Sequence, residues 1–219
     1  MNESLTLKYD FIAIEGNIGA GKTTLSQMLA RDFNSRLILE EFSDNPFLPL
    51  FYDNPERHAF SVELFFMSER YQQIQQTMLA QDLFQQKTIA DYFFMKTLLF
   101  ANTTLQGEEY RLFQRFFNIL NASFPKPQLL VYLHRSVDKV IEQIKHRGRE
   151  YEQDISAEYL LKIQTAYLEY FKVENDMPIL ILDVGDIDFV NNESHYHIIR
   201  DCINRPYNVG IHRVSLMAD

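Results

Sequence analysis

Apolar residues gather in short runs of strand length at Phe11–Ile14, Leu37–Leu39, Thr88–Ala90, Leu129–Leu133 and Ile179–Leu182. Between these runs the apolar positions recur at helical spacing. Continuous apolar runs alternating with amphipathic stretches predict repeated β–α units around a parallel sheet buried on both faces. The pattern predicts five strands. After the first run, Thr24, Leu25, Met28, Leu29 and Phe33 carry a helix. From Glu56 to Phe84 a long helical pattern follows, rich in Gln, with Phe60, Leu64, Phe65, Met67 and Tyr71 among its apolar positions. Core, substrate pocket and subunit interface would each use such aromatics. Two further helices are expected over Phe93–Phe100 and Glu108–Ala122, with Asn102–Gly107 as the break. Ser136 suits the N-cap of a helix whose apolar face is Val137, Val140, Ile141 and Ile144. That helix runs into a basic segment, Lys145-His146-Arg147-Gly148-Arg149, and Ala157–Phe171 forms another amphipathic helix. Repeats, low-complexity tracts and linkers are absent from the sequence, so one domain over residues 1–219 is expected.

The link between the first strand and helix carries the most specific chemistry. It reads Gly16-Asn17-Ile18-Gly19-Ala20-Gly21-Lys22-Thr23, followed by Thr24, and matches the G-x-x-x-x-G-K-[ST] phosphate-binding loop. The chain has 7 glycines, and three of them fall in this loop, which argues against chance. Backbone N–H groups of such a loop and of the helix behind it form a concave anion site. Lys22 is placed to reach the β- and γ-phosphates of ATP, and the Thr23 hydroxyl to take one position on Mg²⁺.

Strand ends supply the remaining candidates, because ligands bind outside the carboxyl ends of strands in such sheets. Glu40 and Glu41 follow the second expected strand, and Asp91 follows the third. Arg147 and Arg149 lie between two helices, on a segment that can close over phosphates. Phosphoryl transfer needs these parts: a carboxylate to take the acceptor's proton and mobile arginines to neutralise the equatorial oxygens. Each has a plainer reading, since Glu-Glu pairs are usually solvated and Arg-Gly-Arg often just ends a helix.

Composition narrows the partners. The formal net charge is −9, with 21 Lys and Arg against 30 Asp and Glu, which disfavours a nucleic-acid surface. The polar start MNESLTLKYD lacks the apolar core of a signal peptide, and no apolar run approaches the roughly 20 residues of a membrane span. One cysteine, Cys202, excludes an internal disulfide framework and fits a reducing compartment; it reads as packing in a late helix. The expected location is cytoplasmic.

Several segments together are more specific than the loop alone: IEGNIGAGKTT (Ile14–Thr24), LEEFSDNPFLPLFYDNPERHAF (Leu39–Phe60), the Asp91 segment, RGREYEQ (Arg147–Gln153) and ILDVGD (Ile181–Asp186). On these, over nearly its whole length, the chain resembles the deoxynucleoside kinase family, which includes deoxycytidine, deoxyguanosine and bacterial deoxyadenosine kinases. The resemblance implies that Glu40 activates the 5′-hydroxyl and that Tyr52 and Glu152 hold the sugar 3′-hydroxyl. It implies that Arg147 and Arg149 are lid arginines, that Asp91 helps order the magnesium site, and that a homodimer forms. Adenine of ATP would lie against the loop Gly185–Phe189, which includes Asp186. The sequence departs from the family at three places. Tyr92 stands where the family has an arginine, so either another cation such as the nearby Lys96 replaces it or the transition state is organised differently. Glu41 replaces the proline after the base, leaving Glu41 as an alternative base. Glu63 falls where much of the family reads the base with glutamine. Ionised Glu only accepts, so an exocyclic amine is favoured, as in deoxyadenosine or deoxycytidine over thymidine, and low specificity is equally compatible.

Two other functions share the loop. A nucleoside monophosphate kinase, resembling thymidylate kinase, needs a cation for its anionic acceptor. That corner offers Glu40, Glu41 and Asp44, and its nearest cations, Arg57 and Arg70, read as plain surface charges. A nucleotide-dependent switch would show N-K-x-D or a catalytic Asp ending an apolar strand; the first is absent, and Leu129–Leu133 ends in His134.

Overall fold

The computed structural model describes residues 6–40, 45–79, 87–185 and 187–216. Among these, six parallel strands form one sheet in the order β2-β3-β1-β4-β5-β6. They are β1 Phe11–Gly16, β2 Arg36–Ile38, β3 Thr88–Ala90, β4 Leu129–His134, β5 Pro178–Asp183 and β6 Gly210–Ser215. The sheet therefore has one strand more than the five expected. The extra strand, β6, pairs with β5 from Pro178↔Gly210 to Asp183↔Ser215. It escapes the search for continuous apolar runs because it lies at the edge. Its residues alternate between half-buried and exposed, with His212 and Arg213 among them.

The central strands show why their runs are unbroken. Successive strand residues face opposite sides of a sheet, and here both sides are covered. Ile12 and Ile14 of β1 enter one core with Leu129, Val131 and Leu133 of β4 and Leu180 and Leu182 of β5. Ala13 enters the other with Leu130, Tyr132, Ile179 and Ile181. The first core is closed by α1 (Lys22–Asp32) and α8 (Glu193–Ile203), the second by α4 (Lys96–Thr104) and α7 (Ala157–Val173). A third core joins α2 (Leu48–Asp53), α3 (Pro55–Leu79), α4 and α5 (Gly107–Asn121) through Phe51, Val62, Met67, Phe94, Phe113 and Phe117.

Caps explain the helix starts that sequence placed best. Ser136 accepts a hydrogen bond from Lys139 N at the start of α6 (Val137–Arg147), and Ser156 one from Tyr159 N at the start of α7. The helix expected from Phe93 begins at Lys96 instead. Phe93 N donates to the buried Glu15 carboxylate at 2.7 Å, so the chain turns before it coils. The break after it is also shorter, Leu105 and Gln106 alone separating α4 from α5. The end expected for the long helix at Phe84 lies outside the described residues. Among the described residues, no helix is long and apolar enough to cross a membrane.

Candidate active site

The phosphate loop leaves the carboxyl end of β1, between β3 and β4, and enters α1. Gly21 precedes that helix in the left-handed region (φ 96°), and no side chain caps its first turn. Its N–H groups are thus available to an anion. Gly19 (φ 80°) permits close packing as well as the turn. A Cβ there would meet Ile144 Cγ1 of α6 at 2.9 Å and Val140 O at 3.2 Å. Asn17 is buried and ties the loop to α7 through its amide, which donates to Leu160 O at 2.9 Å. Its own Oδ1 accepts from Ile18 N at 2.9 Å. Ala20 is buried, whereas Thr24 is half-buried and lines the cavity in front of the loop. Lys22 donates to Gly16 O at 3.0 Å and Asn17 O at 2.9 Å, folding its ammonium back over the loop. Burial, and then the neighbouring Lys96, lower its pKa to about 8.

That cavity, of about 500 Å³, is also lined by Glu40, Tyr52, Glu63, Asp91, Arg147, Arg149 and Glu152. The fold thus gathers the sequence candidates from six segments into one space. Asp186 and Glu41 lie outside the described residues. The Thr23 hydroxyl donates to Asp91 Oδ2 at 2.5 Å, and Asp91 Oδ1 accepts from Glu40 N at 2.6 Å. Burial raises the pKa of Asp91, with the Thr23 hydrogen bond opposing it. Thr23 and Asp91 thus present two hard oxygen donors side by side at the loop. This fits Mg²⁺, which takes one or two protein oxygens and completes its shell with phosphates and water.

Glu40, directly after β2, is the most tightly held candidate. Arg70 of α3 donates to its Oε1 from Nε at 2.9 Å and from Nη2 at 2.5 Å. Lys96 of α4 donates to its Oε2 at 2.5 Å. Burial alone would raise its pKa, but Lys96 and Arg70 outweigh burial and hold it well below the usual carboxylate range. Arg70 is only 4 % exposed, so it is not the surface charge that the sequence suggests. Its Nη1 also donates to Thr97 Oγ1 at 2.9 Å. Tyr92 is buried on the other side of the strand end among Ile38, Ala90, Phe11 and Ile74, and its hydroxyl donates to Gln73 Oε1 at 2.7 Å. Tyr92 does not line the cavity, whereas Lys96 does.

Glu63 of α3 is buried, and its Oε1 accepts from the Thr104 hydroxyl at 3.0 Å. Burial pushes its pKa up, partly offset by Arg70, to about 7. At the lid, α6 ends at Gly148 in the left-handed region (φ 73°), and the basic segment turns toward the cavity. Arg147 and Arg149 both donate to the buried Glu152, Arg149 at 3.3 Å. Tyr52 is stacked on Tyr151, with ring centroids 6.1 Å apart. On the other flank, Arg135 donates to Gly185 O at 2.6 Å and Ile187 O at 3.0 Å, fixing the loop expected to face adenine. Phe189 closes on Gly21, where a Cβ would meet its ring at 2.9 Å.

Sequence reasoning missed Arg70 and Glu15. Glu15 is 1 % exposed and receives Phe93 N and the Tyr167 hydroxyl, each at 2.7 Å. A carboxylate ending the apolar run of β1 was the available signal, because a charge in such a run must find partners.

A phosphate loop at the end of a central parallel strand, facing paired cations and carboxylates across one cavity, defines a phosphotransferase. Comparison with known proteins makes the class specific. The deoxynucleoside kinase family model matches residues 12–206. The chain is 36 % identical over 196 residues to a deoxyguanosine kinase of Bacillus subtilis (strain 168), covering 86 % of this chain and 93 % of that protein. It is 30 % identical over 211 residues to a deoxyadenosine/deoxycytidine kinase of the same organism, covering 93 % and 95 %. In fold it is similar to the structure of deoxyadenosine kinase from M. mycoides with products dCMP and a flexible dCDP bound. That match has a TM-score of 0.76 at 24 % identity and covers 88 % of this chain and 98 % of that one. The chain belongs to the deoxynucleoside kinase family.

Proposed function

We propose that the chain transfers the γ-phosphoryl group of ATP to the 5′-hydroxyl of a deoxynucleoside, as a cytoplasmic step of nucleotide salvage. The observation that carries this reading is the Glu40 carboxylate. It lies in the same cavity as Lys22 and Thr23, gripped by two cations and facing the space an acceptor must enter. Its proposed role is to orient the 5′-hydroxyl and take its proton. Lys22 and the lid arginines Arg147 and Arg149 hold the phosphates and neutralise the moving phosphoryl group. Thr23 and Asp91 would hold Mg²⁺, which neutralises phosphate charge when bound. Tyr52 and Glu152 receive the sugar, and Glu63 reads the base, with deoxyadenosine and deoxycytidine as the first acceptors. The names of the B. subtilis relatives refer to guanine, adenine and cytosine nucleosides, whose bases all carry the exocyclic amine that Glu63 can accept. The chain acts as one domain and pairs as a homodimer. The apolar Leu112, Phe116 and Ile119 left exposed along α5 support that pairing.

The test is phosphoryl transfer from ATP with Mg²⁺ to the four deoxynucleosides and to their monophosphates, with products identified by mass. Nucleosides are the expected acceptors, and transfer to monophosphates alone would overturn the assignment. In the same assay Glu40→Gln should keep nucleoside binding and lower kcat by about two to four orders of magnitude. Near-normal turnover in that variant would remove Glu40 from the role.

A further inference from the structure

One end of the cavity combines apolar walls with a buried carboxyl group. Glu63 sits there on α3, 3 % exposed, beside Val62 and Phe66 of its own helix and Phe100 of α4. The resemblance places a base-reading amide at this position, but a carboxyl group differs from an amide in having two forms. Ionised, it offers two acceptors. Protonated, it offers one donor and one acceptor.

The surroundings hold both forms within reach of neutral pH. Thr104 of α4 has one hydroxyl proton and two acceptors nearby, Glu63 Oε1 at 3.0 Å and Phe100 O at 3.1 Å. It can therefore follow the charge, turning to Glu63 when Glu63 ionises. Arg70 from the same helix and Lys96 from α4 favour the ionised form, and Glu40 after β2 opposes it. Tyr52 from α2 and Tyr159 from α7 face the same carboxyl group and remain neutral, because burial raises both phenols. Burial and these charges leave Glu63 half-titrated near pH 7.

Base edges divide in the same way. The pairing edge of guanine presents two adjacent donors, its ring N–H and its exocyclic amine. Adenine and cytosine present an amine beside a ring nitrogen that accepts. We propose that Glu63 selects the base by its own protonation, the ionised form taking deoxyguanosine and turning away deoxyadenosine and deoxycytidine, which only the protonated form can meet with both a donor and an acceptor. The proposal rests on the deoxynucleoside kinase reading, adds guanine to the acceptors favoured by sequence, and moves adenine and cytosine from the ionised to the protonated form. Guanine and thymine each also present a ring N–H beside a carbonyl oxygen, a donor and an acceptor that the protonated form can meet, so it is the ionised form that discriminates.

The test is the ratio of kcat/KM for deoxyguanosine to that for deoxyadenosine, measured with ATP and Mg²⁺ from about pH 6 to about pH 8. A ratio cancels titrations that both substrates share, including those of Glu40 and Lys22. It should rise with pH by up to about tenfold per unit, the limit when the protonated form alone accepts deoxyadenosine. Glu63→Gln fixes the donor and acceptor of one amide, so it should retain deoxyadenosine at high pH and give a ratio independent of pH. The wild-type ratio decides even if the variant fails to fold. A flat wild-type ratio with both nucleosides phosphorylated would overturn the proposal and leave the kinase reading intact. A Gln variant that kept the pH dependence would overturn it too. No transfer to any nucleoside at any pH would instead remove the kinase reading, and this proposal with it.

Discussion

Lys96 and Arg70 divide the oxygens of Glu40 between them, and they differ in how firmly they hold. Arg70 makes two hydrogen bonds to Oε1 and a third to Thr97, so it is anchored on both sides. Lys96 is a point charge on a flexible stem with its bond to Oε2. A polyphosphate entering beside Lys22 competes for Lys96 more readily than for Arg70. Moving Lys96 toward the phosphates would add positive charge where negative charge develops. It would also make Glu40 a stronger base, because one of the two cations depressing its pKa is withdrawn. Lys96→Met should therefore lower kcat by about two to three orders of magnitude, with a smaller change in nucleoside KM. Lys96→Arg should restore most of the loss. Equal losses in both variants, or a loss confined to KM, would show that Lys96 only supports the fold. Glu40 was legible from its place after a strand. The burial of Arg70 was not, because its partner lies 30 residues away and its helix carries apolar residues on several sides. Tyr92 follows the same logic: residues 91 and 92 point to opposite sides, and only the structure shows which side is the cavity.

At the scale of elements, the phosphate loop and the lid helix are one mechanical unit. Gly19 lies against Val140 and Ile144 of α6, and the same helix carries Arg147 at its C-terminal end. Position 19 requires φ 80° and has no room for a methyl group. Gly19→Ala must distort the loop or push α6, and with it the lid arginines, outward. The expected result is a rise in KM for ATP of about tenfold or more, a fall in kcat, and a stability loss of about 1–3 kcal/mol. Nucleoside affinity without ATP should change little, since the base end is built from α2, α3 and α4. A variant that lost nucleoside binding equally would show that the loop and the base pocket are not independent. The loop and α6 were each readable, one as a motif and one from its Ser136 cap and apolar face. Their contact was not, since spacing along a chain says nothing about which helix covers a glycine. The same limit applies to the lid. Arg147 and Arg149 were separately identified with Glu152, but their mutual pairing arises from the turn at Gly148.

Across the whole molecule, the architecture followed from apolar periodicity because central parallel strands must be apolar on both faces. The edge strand β6 did not, because half of it faces solvent. Stability is also a property of the whole molecule, and two buried carboxylates act on it with opposite sign. Glu40, held well below the usual range, stabilises the fold above its ordinary pKa near 4.5, and that contribution is lost as pH falls. Glu63 does the reverse. Its pKa is raised from 4.5 to about 7 on folding, so below 4.5 both states are protonated and it contributes nothing. Between those values the unfolded chain loses its proton while the folded chain keeps it, and stability falls as pH rises. Above 7 the deficit is complete, about 3–4 kcal/mol at the usual 1.4 kcal/mol per unit. Glu63→Gln has no proton to lose and can still accept from Thr104. Free of ligand, it should melt roughly 7–14 °C above the wild type at about pH 8, where the deficit is full. Near pH 4.5 the two should melt together, within about 2 °C. An equal difference at both pH values would mean that packing, not ionisation, separates them. A less stable variant at the higher pH would mean that the folded protein holds Glu63 as a favourable charge. With the expected result, the fold carries a standing destabilisation at Glu63, because it keeps a carboxyl group where an amide would be more stable.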